Sequence, residues 1–314
     1  MYWLLLILAA ILFLILLIAY ITYRIAFYAS PKKRGEVLTL PQDAGYSEEV
    51  RSYLKELLAD MEHRPCETVS IQSFDGLPLY ARYYHFCDGA PVEIQFHGYR
   101  GSALRDFCGG CKLALDAGHN ALVVDQRAHG KSGGNTITFG ILERYDCQSW
   151  VRYAAERFGS DTPLIISGVS MGASTVLMAS ELTLPGNVAG IIADSPFVSA
   201  ESIIGKVSEQ DMHIPAALSM LFIRLGARLF GNFDLRARTV PDAVTNSKYP
   251  ILLIHGEADN FVPCEMSGVI FDACRAEKQR VTFPNAPHGV SMLTDPERYY
   301  AVIRSFYQKC LPKS

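Results

Sequence analysis

The residue with the clearest chemical potential in this sequence is Ser170, which stands in the motif Gly168-Val-Ser-Met-Gly172. An apolar run, Leu164-Ile-Ile-Ser167, precedes the motif, and residues 173–182 after it have helical character. A serine on a tight strand-to-helix turn holds its hydroxyl clear of the sheet, and the flanking glycines remove side chains that would collide there. We therefore predict that Ser170 is a nucleophile. The backbone N–H of Met171, at the helix N-terminus, is predicted to help bind an oxyanion.

A serine nucleophile needs a base, and the base needs an acid that fixes its tautomer. When the serine comes first in the chain and the histidine last, the histidines available are His213, His255 and His288. His213 lies in a long connection between strands, and His255 ends a predicted strand. His288, in a loop just after the last predicted strand, is therefore the predicted base.

Three carboxylates compete for the role of the acid. Asp259 follows the penultimate predicted strand, in the segment from His255 to Pro263, and its place in the chain favours it. Asp194 follows an earlier strand and is the main rival, while Glu257 is a weaker one. We predict that Asp259 is the acid and that Asp194 supports turns close to the nucleophile.

A second oxyanion donor is expected in His97-Gly98-Tyr99, the loop after the apolar run 92–96. Gly98 lets the backbone approach a substrate, and the N–H of Tyr99 is the predicted donor. The Tyr99 hydroxyl either makes a further contact to substrate or belongs to a ring that only walls the pocket. His97 precedes the nucleophile in the chain, so we expect it to be structural.

These residues must be positioned by a sheet and the helices that cover it. Short apolar runs at 92–96, 121–124, 164–167, 190–193, 251–254 and 280–283 alternate with helical stretches at 104–117, 144–158 and 173–182. Such alternation is typical of a mostly parallel sheet with helices on both faces. A hairpin is predicted across Asp75-Gly76, and Ser47 is predicted to cap a helix before it. The apolar interval 198–248 is too long for an ordinary connection and predicts an inserted cap.

The N-terminal segment differs from the rest of the chain. The 314 residues have a net charge of −3, but residues 1–34 carry four basic and no acidic side chains, which leaves −7 for the remainder. The apolar run 3–21 would span about 28 Å as a helix, close to the thickness of a bilayer core. Trp3 at one end and Tyr20 and Tyr23 at the other are typical interfacial residues.

We interpret this run as an uncleaved membrane anchor. A signal peptide would need a basic residue before a shorter apolar run, although Ala29-Ser30 faintly resembles a cleavage site. A buried core helix is the third reading. The basic residues lie only on the C-terminal side, which predicts a cytoplasmic orientation for the rest of the chain. Residues 31–43 read as a polar tether.

The motifs together resemble the α/β-hydrolase superfamily, in its Bem46-like and serine-aminopeptidase-like branch near monoacylglycerol-lipase-type enzymes. The motifs that carry the resemblance run in family order from about residue 67 to residue 310; they are His97-Gly-Tyr99, the turn 125–132, Gly168-Val-Ser-Met-Gly172, Asp194-Ser-Pro196, the segment 256–263 and Pro287-His-Gly289. The resemblance implies an eight-stranded, mostly parallel sheet with a helical cap between strands six and seven. The sequence lacks the His-Gly-Gly-Gly loop of hormone-sensitive-lipase-like enzymes.

Other motifs are weaker. Gly130-Lys-Ser132 lacks the first glycine of a phosphate loop, because Asp125 stands there. Cys108 and Cys111 form a single C-x-x-C pair within a predicted helix, which favours buried thiols over redox or zinc chemistry. No cofactor or metal is implied, and a net charge near zero argues against nucleic acid as a partner.

We therefore predict a single-pass, membrane-anchored serine hydrolase that cleaves small-molecule or lipid acyl esters. The predicted boundaries are an anchor at 1–23, a tether and helix at 24–60, and an α/β-hydrolase domain at 61–314 with the cap at about 198–248. A peptidase or amidase with the same residues is the main alternative. A non-catalytic scaffold of this fold would be expected to lack one of Ser170, Asp259 and His288, and all three are present.

Overall fold

A computed structural model describes residues 1–31 and 47–311. Its centre is an eight-stranded sheet with the spatial order β1-β2-β4-β3-β5-β6-β7-β8. The strands are β1 Glu67–Gln72, β2 Pro78–Tyr84, β3 Val92–Phe96, β4 Asn120–Asp125, β5 Leu164–Val169, β6 Val188–Asp194, β7 Ile251–Gly256 and β8 Lys278–Phe283. All six predicted apolar runs lie within strands β3 to β8.

The sheet is mostly parallel, as predicted. Strand β2 pairs antiparallel with both β1 and β4, and every pairing from β4 to β8 is parallel. Strands β3 and β7 are buried along their whole length, which explains their mostly apolar character. The β1–β2 hairpin turns at Gly76, whose φ of +83° is readily adopted by glycine.

Helices cover both faces of the sheet. They are α2 Glu48–His63, α3 Ala103–Asp116, α4 Glu143–Phe158, α5 Met171–Ala179, α8 Val240–Val244, α9 Glu265–Ala273, α10 Ser291–Thr294 and α11 Pro296–Cys310. One core contains α4, α5, α8 and α9, and on the opposite face α3 and α11 share a second core. Helix α2 begins after Ser47, whose side chain accepts a hydrogen bond from Val50 N, and it packs on α3.

The predicted cap interval contains two further helices, α6 Ala200–Gln210 and α7 Ala216–Phe230, between β6 and β7. Their inner faces, with Ile203 and Ile223, share an apolar cluster with Met171 beside the nucleophile turn. The interval therefore forms a helical layer over the carboxyl ends of the strands, where α/β proteins bind ligands.

The N-terminal helix α1, Tyr2–Ala26, is the one helix of the described residues that is long and apolar enough to cross a membrane. Most of it is exposed, which does not fit the reading as a buried core helix. Its C-terminal end is different, because Ala19, Tyr23 and Phe27 are buried against α7 and the body of the protein. The predicted tether lies almost entirely outside the described residues, and the three predicted domain boundaries remain predictions.

Candidate active site

Ser170 occupies a strained turn between β5 and α5. Its backbone has φ 55° and ψ −116°, a conformation that non-glycine residues adopt rarely. The flanking glycines make this turn possible: a Cβ on Gly172 would lie 1.8 Å from the carbonyl oxygen of Phe96, and one on Gly168 would lie 2.3 Å from the backbone of Gly172. The Ser170 N–H donates to the Asp194 carbonyl oxygen at 2.8 Å, which fixes the turn to the neighbouring strand.

The structure brings Ser170, His288 and Asp259 into one chain of hydrogen bonds. His288 Nε2 lies 2.9 Å from Ser170 Oγ, and His288 Nδ1 lies 2.7 Å from Asp259 Oδ2. Since a carboxylate only accepts hydrogen bonds, Nδ1 carries the proton and Nε2 can accept one from the serine hydroxyl. Such an arrangement can move a proton from Ser170 to His288 and stabilise the imidazolium that results.

Asp259 is held in its ionised form by donors on several sides. The backbone N–H groups of Phe261 and Val262 donate to its Oδ1 at 3.0 and 2.8 Å. His255 Nε2, which also donates to the Val262 carbonyl oxygen, lies 3.3 Å from Oδ2. Burial by itself would raise the pKa of Asp259, but the hydrogen bonds from His255 and His288 hold that pKa well below its usual value.

The alternative residues lie in other environments. Asp194 Oδ1 accepts from Ser195 Oγ at 3.0 Å and its Oδ2 accepts from the Tyr299 hydroxyl at 3.1 Å, and burial raises its pKa. Glu257 is exposed and accepts a hydrogen bond from Thr282. His213 lies on an exposed loop of the cap.

Asp194 nevertheless reaches the site indirectly, through Ser195. The Ser195 hydroxyl donates to Asp194 and accepts a hydrogen bond from the Gly289 N–H at 3.3 Å. Gly289 directly follows His288, so this connection supports the loop that carries the histidine. Asp194 thus supports a loop close to the nucleophile, as the sequence suggested, although the loop it holds is the histidine loop.

The predicted oxyanion donors flank Ser170. A Cβ on Gly98 would lie 3.4 Å from Ser170 Cβ, so the 97–99 loop passes directly over the serine. Within the described residues, the backbone N–H groups of Tyr99 and Met171 make no hydrogen bond to the protein. Both groups are therefore available to a bound oxygen atom, as an oxyanion site requires.

Two histidines hold this loop in place. His97 is fully buried; its Nδ1 donates to the Gly98 carbonyl oxygen, and its Nε2 accepts from the Gln126 N–H. His129 Nε2 accepts from the Arg100 N–H at 3.0 Å. His97 is thus structural, as expected. The contribution of His129 was missed, because nothing in the local sequence links it to a loop about thirty residues earlier.

Two cavities meet at Ser170. One, of about 240 Å³, is lined by His288 together with the polar side chains of Arg105 and Asp106. The other, of about 170 Å³, lies under the cap and is walled almost entirely by apolar side chains, among them Phe197 and Ile204. The site can therefore hold a carbonyl compound that has an apolar substituent on one side of the carbonyl group and a more polar substituent on the other.

The cysteines take no part in this site. All eight are free, and Cys108 and Cys111 are buried on α3. Burial raises the pKa of Cys108 to about 11 and that of Cys111 well above its usual value, so both are held as thiols. Among the residues that the structure describes, no group of histidine, cysteine and carboxylate side chains has the arrangement of a metal site.

Part of the chain is similar in sequence to known proteins. A family model described as "Serine aminopeptidase, S33" matches residues 94–245, just under half of the chain. The Bacillus subtilis protein YqkD is 25% identical over 194 residues, which cover 62% of this chain and 64% of YqkD. Protein bem46 of Schizosaccharomyces pombe is 24% identical over 190 residues, 60% of this chain and 57% of bem46. The chain thus spans between about half and two thirds of the length of these curated relatives.

The solved structures that resemble the chain have the same fold. The Pyrococcus furiosus esterase Pf2001 superposes with a TM-score of 0.65 at 20% identity, over 88% of this chain and 98% of the esterase. The chain therefore has the α/β-hydrolase fold, and the relatives that its sequence matches are members of the α/β-hydrolase superfamily. Within that superfamily its similarities lie with the Bem46 and serine-aminopeptidase branch, as predicted.

The depressed pKa of Asp259 predicts how this residue contributes to stability. A carboxyl whose pKa is lowered by folding stabilises the folded state above its unfolded pKa, about 3.9, and loses that contribution as the pH falls toward its folded value. The difference in unfolding free energy between wild type and Asp259→Asn should therefore shrink as the pH is lowered from 6 to about 3. Urea titrations in detergent, followed by tryptophan fluorescence, measure it. Asp161→Asn, which removes an exposed carboxylate, is the matched control, and a difference that grows on acidification would contradict the assignment.

Proposed function

We propose that the protein is a membrane-anchored serine hydrolase that cleaves carboxylic esters through an acyl-enzyme. The observation that carries this proposal is the hydrogen-bonded chain from Asp259 through His288 to Ser170, beside an apolar cavity. The α/β-hydrolase fold and the esterases among its structural relatives support a hydrolase of this kind.

The geometry is suited to the following steps. Ser170 Oγ attacks the ester carbonyl while His288 Nε2 takes its proton, and Asp259 stabilises the charged imidazolium. The N–H groups of Tyr99 and Met171 hold the negative oxygen of the tetrahedral intermediate. His288 then gives its proton to the departing alcohol, and an acyl group remains on Ser170. A water molecule then attacks the acyl carbon while His288 takes its proton, and Ser170 leaves with the proton that His288 returns, so that the acid is released. No step in this sequence uses a metal or cofactor.

The two cavities support an assignment of where the acyl chain and the alcohol of the ester bind. The apolar cavity under the cap suits the acyl chain, because transfer of apolar surface from water to such walls is favourable. The cavity beside Arg105 and Asp106 suits the alcohol, whose polar groups need hydrogen-bonding partners. The substrate is accordingly proposed to be a lipid or medium-chain acyl ester.

A serine peptidase or amidase is the second candidate. The matching family model is described as a serine aminopeptidase, and an amide carbonyl would fit the same hydrogen-bonded chain. An aminopeptidase substrate, however, carries its free amine on the acyl side of the scissile bond, and the cavity proposed for the acyl group is almost entirely apolar and has no carboxylate in its wall to pair with that amine. We therefore favour the ester.

Helix α1 is proposed to anchor the protein in a membrane. Cleavage of a signal peptide near Ala29 would remove Tyr23 and Phe27 from a cluster that also contains Phe139 and Met171. The apolar core beside the nucleophile would then be opened to water, which disfavours cleavage. The basic residues that follow α1 support a cytoplasmic catalytic domain.

The nucleophile assignment predicts the outcome of covalent labelling. A fluorophosphonate probe should label the wild-type chain, while Ser170→Ala should lose the label and at least about 10⁴-fold in kcat for an ester. Gel fluorescence and mass spectrometry of the labelled peptide measure the first effect. Ser160→Ala, on an exposed turn, is the matched control. Labelling that persists in Ser170→Ala would refute the assignment.

The ester preference predicts a ratio of rate constants. We expect kcat/KM for a butyryl ester to exceed that for the matched butyryl amide, because an alcohol leaves an acyl group more readily than an amine does. It should also exceed that for an aminoacyl amide, because the apolar acyl cavity has no carboxylate to pair with the amine. Steady-state assays with one chromogenic leaving group in each series provide the comparison. Faster turnover of the aminoacyl amide would favour the peptidase instead.

The proposed topology predicts protection from protease. In intact cells that express the chain, added protease should leave the catalytic domain whole, and permeabilisation should expose it to digestion. Immunoblotting against a C-terminal tag provides the readout. Digestion in intact cells would place the domain outside, and recovery of the chain in the soluble fraction would contradict anchoring.

A further inference from the structure

The C-terminal end of α1 forms part of the wall of the apolar cavity that reaches Ser170. Thr22, Ile25 and Ala26 line this cavity together with residues of the cap and the body. An engineered apolar cavity of about 150 Å³ holds benzene, so about 170 Å³ encloses a segment of about six carbons. A longer chain must therefore continue past the rim of the cavity.

The rim is apolar and exposed. Its residues include Ile25 of α1, Met212 and Ile214 of the cap, and Phe261, and each of these exposes more than a third of its surface. In water such a rim would be unfavourable, whereas against lipid it would not.

The length of α1 places this rim at the membrane. The sixteen residues from Trp3 to Ile18, which precede the buried Ala19, rise about 24 Å, less than the bilayer core of about 30 Å. The apolar layer must therefore extend beyond Ile18 to the level of the α1–α7 contact. The outer side of α7 is apolar there too, with Leu218 and Leu221 more than half exposed.

The contact between α1 and α7 fixes the helix in this position. A Cβ on Gly226 of α7 would lie 2.4 Å from the carbonyl oxygen of Ala19, so the two helix backbones touch at a position where only glycine fits. Thr22 donates a hydrogen bond to the Phe222 carbonyl oxygen at 3.2 Å. Small residues and interhelical hydrogen bonds of this kind are typical of packed membrane helices.

The same end of α1 is hydrogen-bonded to residues 97–100, the loop that carries the proposed oxyanion donor Tyr99 and that we call the oxyanion loop. The Tyr99 hydroxyl donates to the Ala26 carbonyl oxygen at 2.8 Å, and the Arg100 guanidinium donates to the Ile25 carbonyl oxygen at 2.7 Å. These carbonyl groups end the helix and have no partner within it, so the loop caps the membrane helix. Tyr99 also stacks on Phe139 in the cavity wall.

We propose that the last turn of α1 is the membrane-side wall of the acyl pocket, that Thr22, Ile25 and Ala26 set which acyl chains reach Ser170, and that the chain enters from lipid. This proposal rests on the proposed ester hydrolase activity. It assigns to the anchor a part in substrate selection in addition to attachment.

Two alanines on α1 allow a matched test of the wall. Ala26→Phe fills the cavity, while Ala10→Phe makes the same change at an exposed position on the same helix. We expect Ala26→Phe to lower the ratio of kcat/KM for a dodecanoyl ester to that for an acetyl ester by about tenfold or more, and Ala10→Phe to leave this ratio unchanged. A ratio that stays constant in Ala26→Phe, or falls equally in both variants, would overturn the proposal.

A second comparison tests the route from lipid. Met212→Glu places a charge on the rim, and Val269→Glu places one at an exposed position of helix α9 that does not line the cavity. With the full chain in vesicles, Met212→Glu should slow labelling by a long-chain fluorophosphonate dissolved in the bilayer about tenfold relative to labelling by a short, water-soluble fluorophosphonate. Equal effects on both probes, or an equal effect of Val269→Glu, would show that the chain does not arrive through this rim. Absence of any labelling of wild type would instead refute the proposed function itself.

Discussion

The backbone of Ser170, held at a positive φ between β5 and α5, is the constraint on which the rest of the site depends. The turn exists only because Gly168 and Gly172 let β5, α5 and the end of β3 approach to distances that a side chain would forbid. The same close approach brings Gly98 over the serine and points the first turn of α5 toward it. The strain is maintained by the surrounding buried sheet, since the Ser170 N–H is tied to β6 and its neighbours have no room to relax.

Buried polar groups hold in place the loops of the site, which come from distant parts of the chain. Asp194 acts through Ser195 on the loop of His288, and His255 acts on Asp259. His97 and His129 bind backbone groups of the 97–100 loop and of the turn after β4. Each of these groups is hydrogen-bonded within the protein, so an altered loop position would leave a buried partner unsatisfied, at a cost of about 1–3 kcal/mol for each bond. The site is therefore preorganised by the satisfaction of buried polar atoms as much as by apolar packing.

The apolar side of the site is continuous with helix α1. Tyr23 and Phe27 belong to the same cluster as Met171, so the core beside the proposed nucleophile is incomplete without the end of α1. Residues that in other respects are typical of an anchor thereby contribute to the stability of the body. The helix has two parts. The first is exposed and suited to lipid. The final part, of about two turns, packs on α7, is capped by the 97–100 loop and lines the apolar cavity.

The sequence alone determined much of this organisation. The alternation of short apolar runs with helical stretches predicted strands β3 to β8 and helices α3, α4 and α5, because buried parallel strands need continuous apolar runs. The Gly-x-Ser-x-Gly spacing and the chain order pointed to Ser170, His288 and Asp259, because few residues of the right type follow each strand. What only the tertiary structure decided are contacts between residues far apart in the chain: His129 with Arg100, Ser195 with Gly289, and Tyr99 with Ala26. The sequence left the role of the Tyr99 hydroxyl open, and the fold directs it to a helix that precedes it by more than seventy residues. No local pattern records such partners, because they are selected by which buried donors and acceptors the packed fold brings within hydrogen-bonding distance.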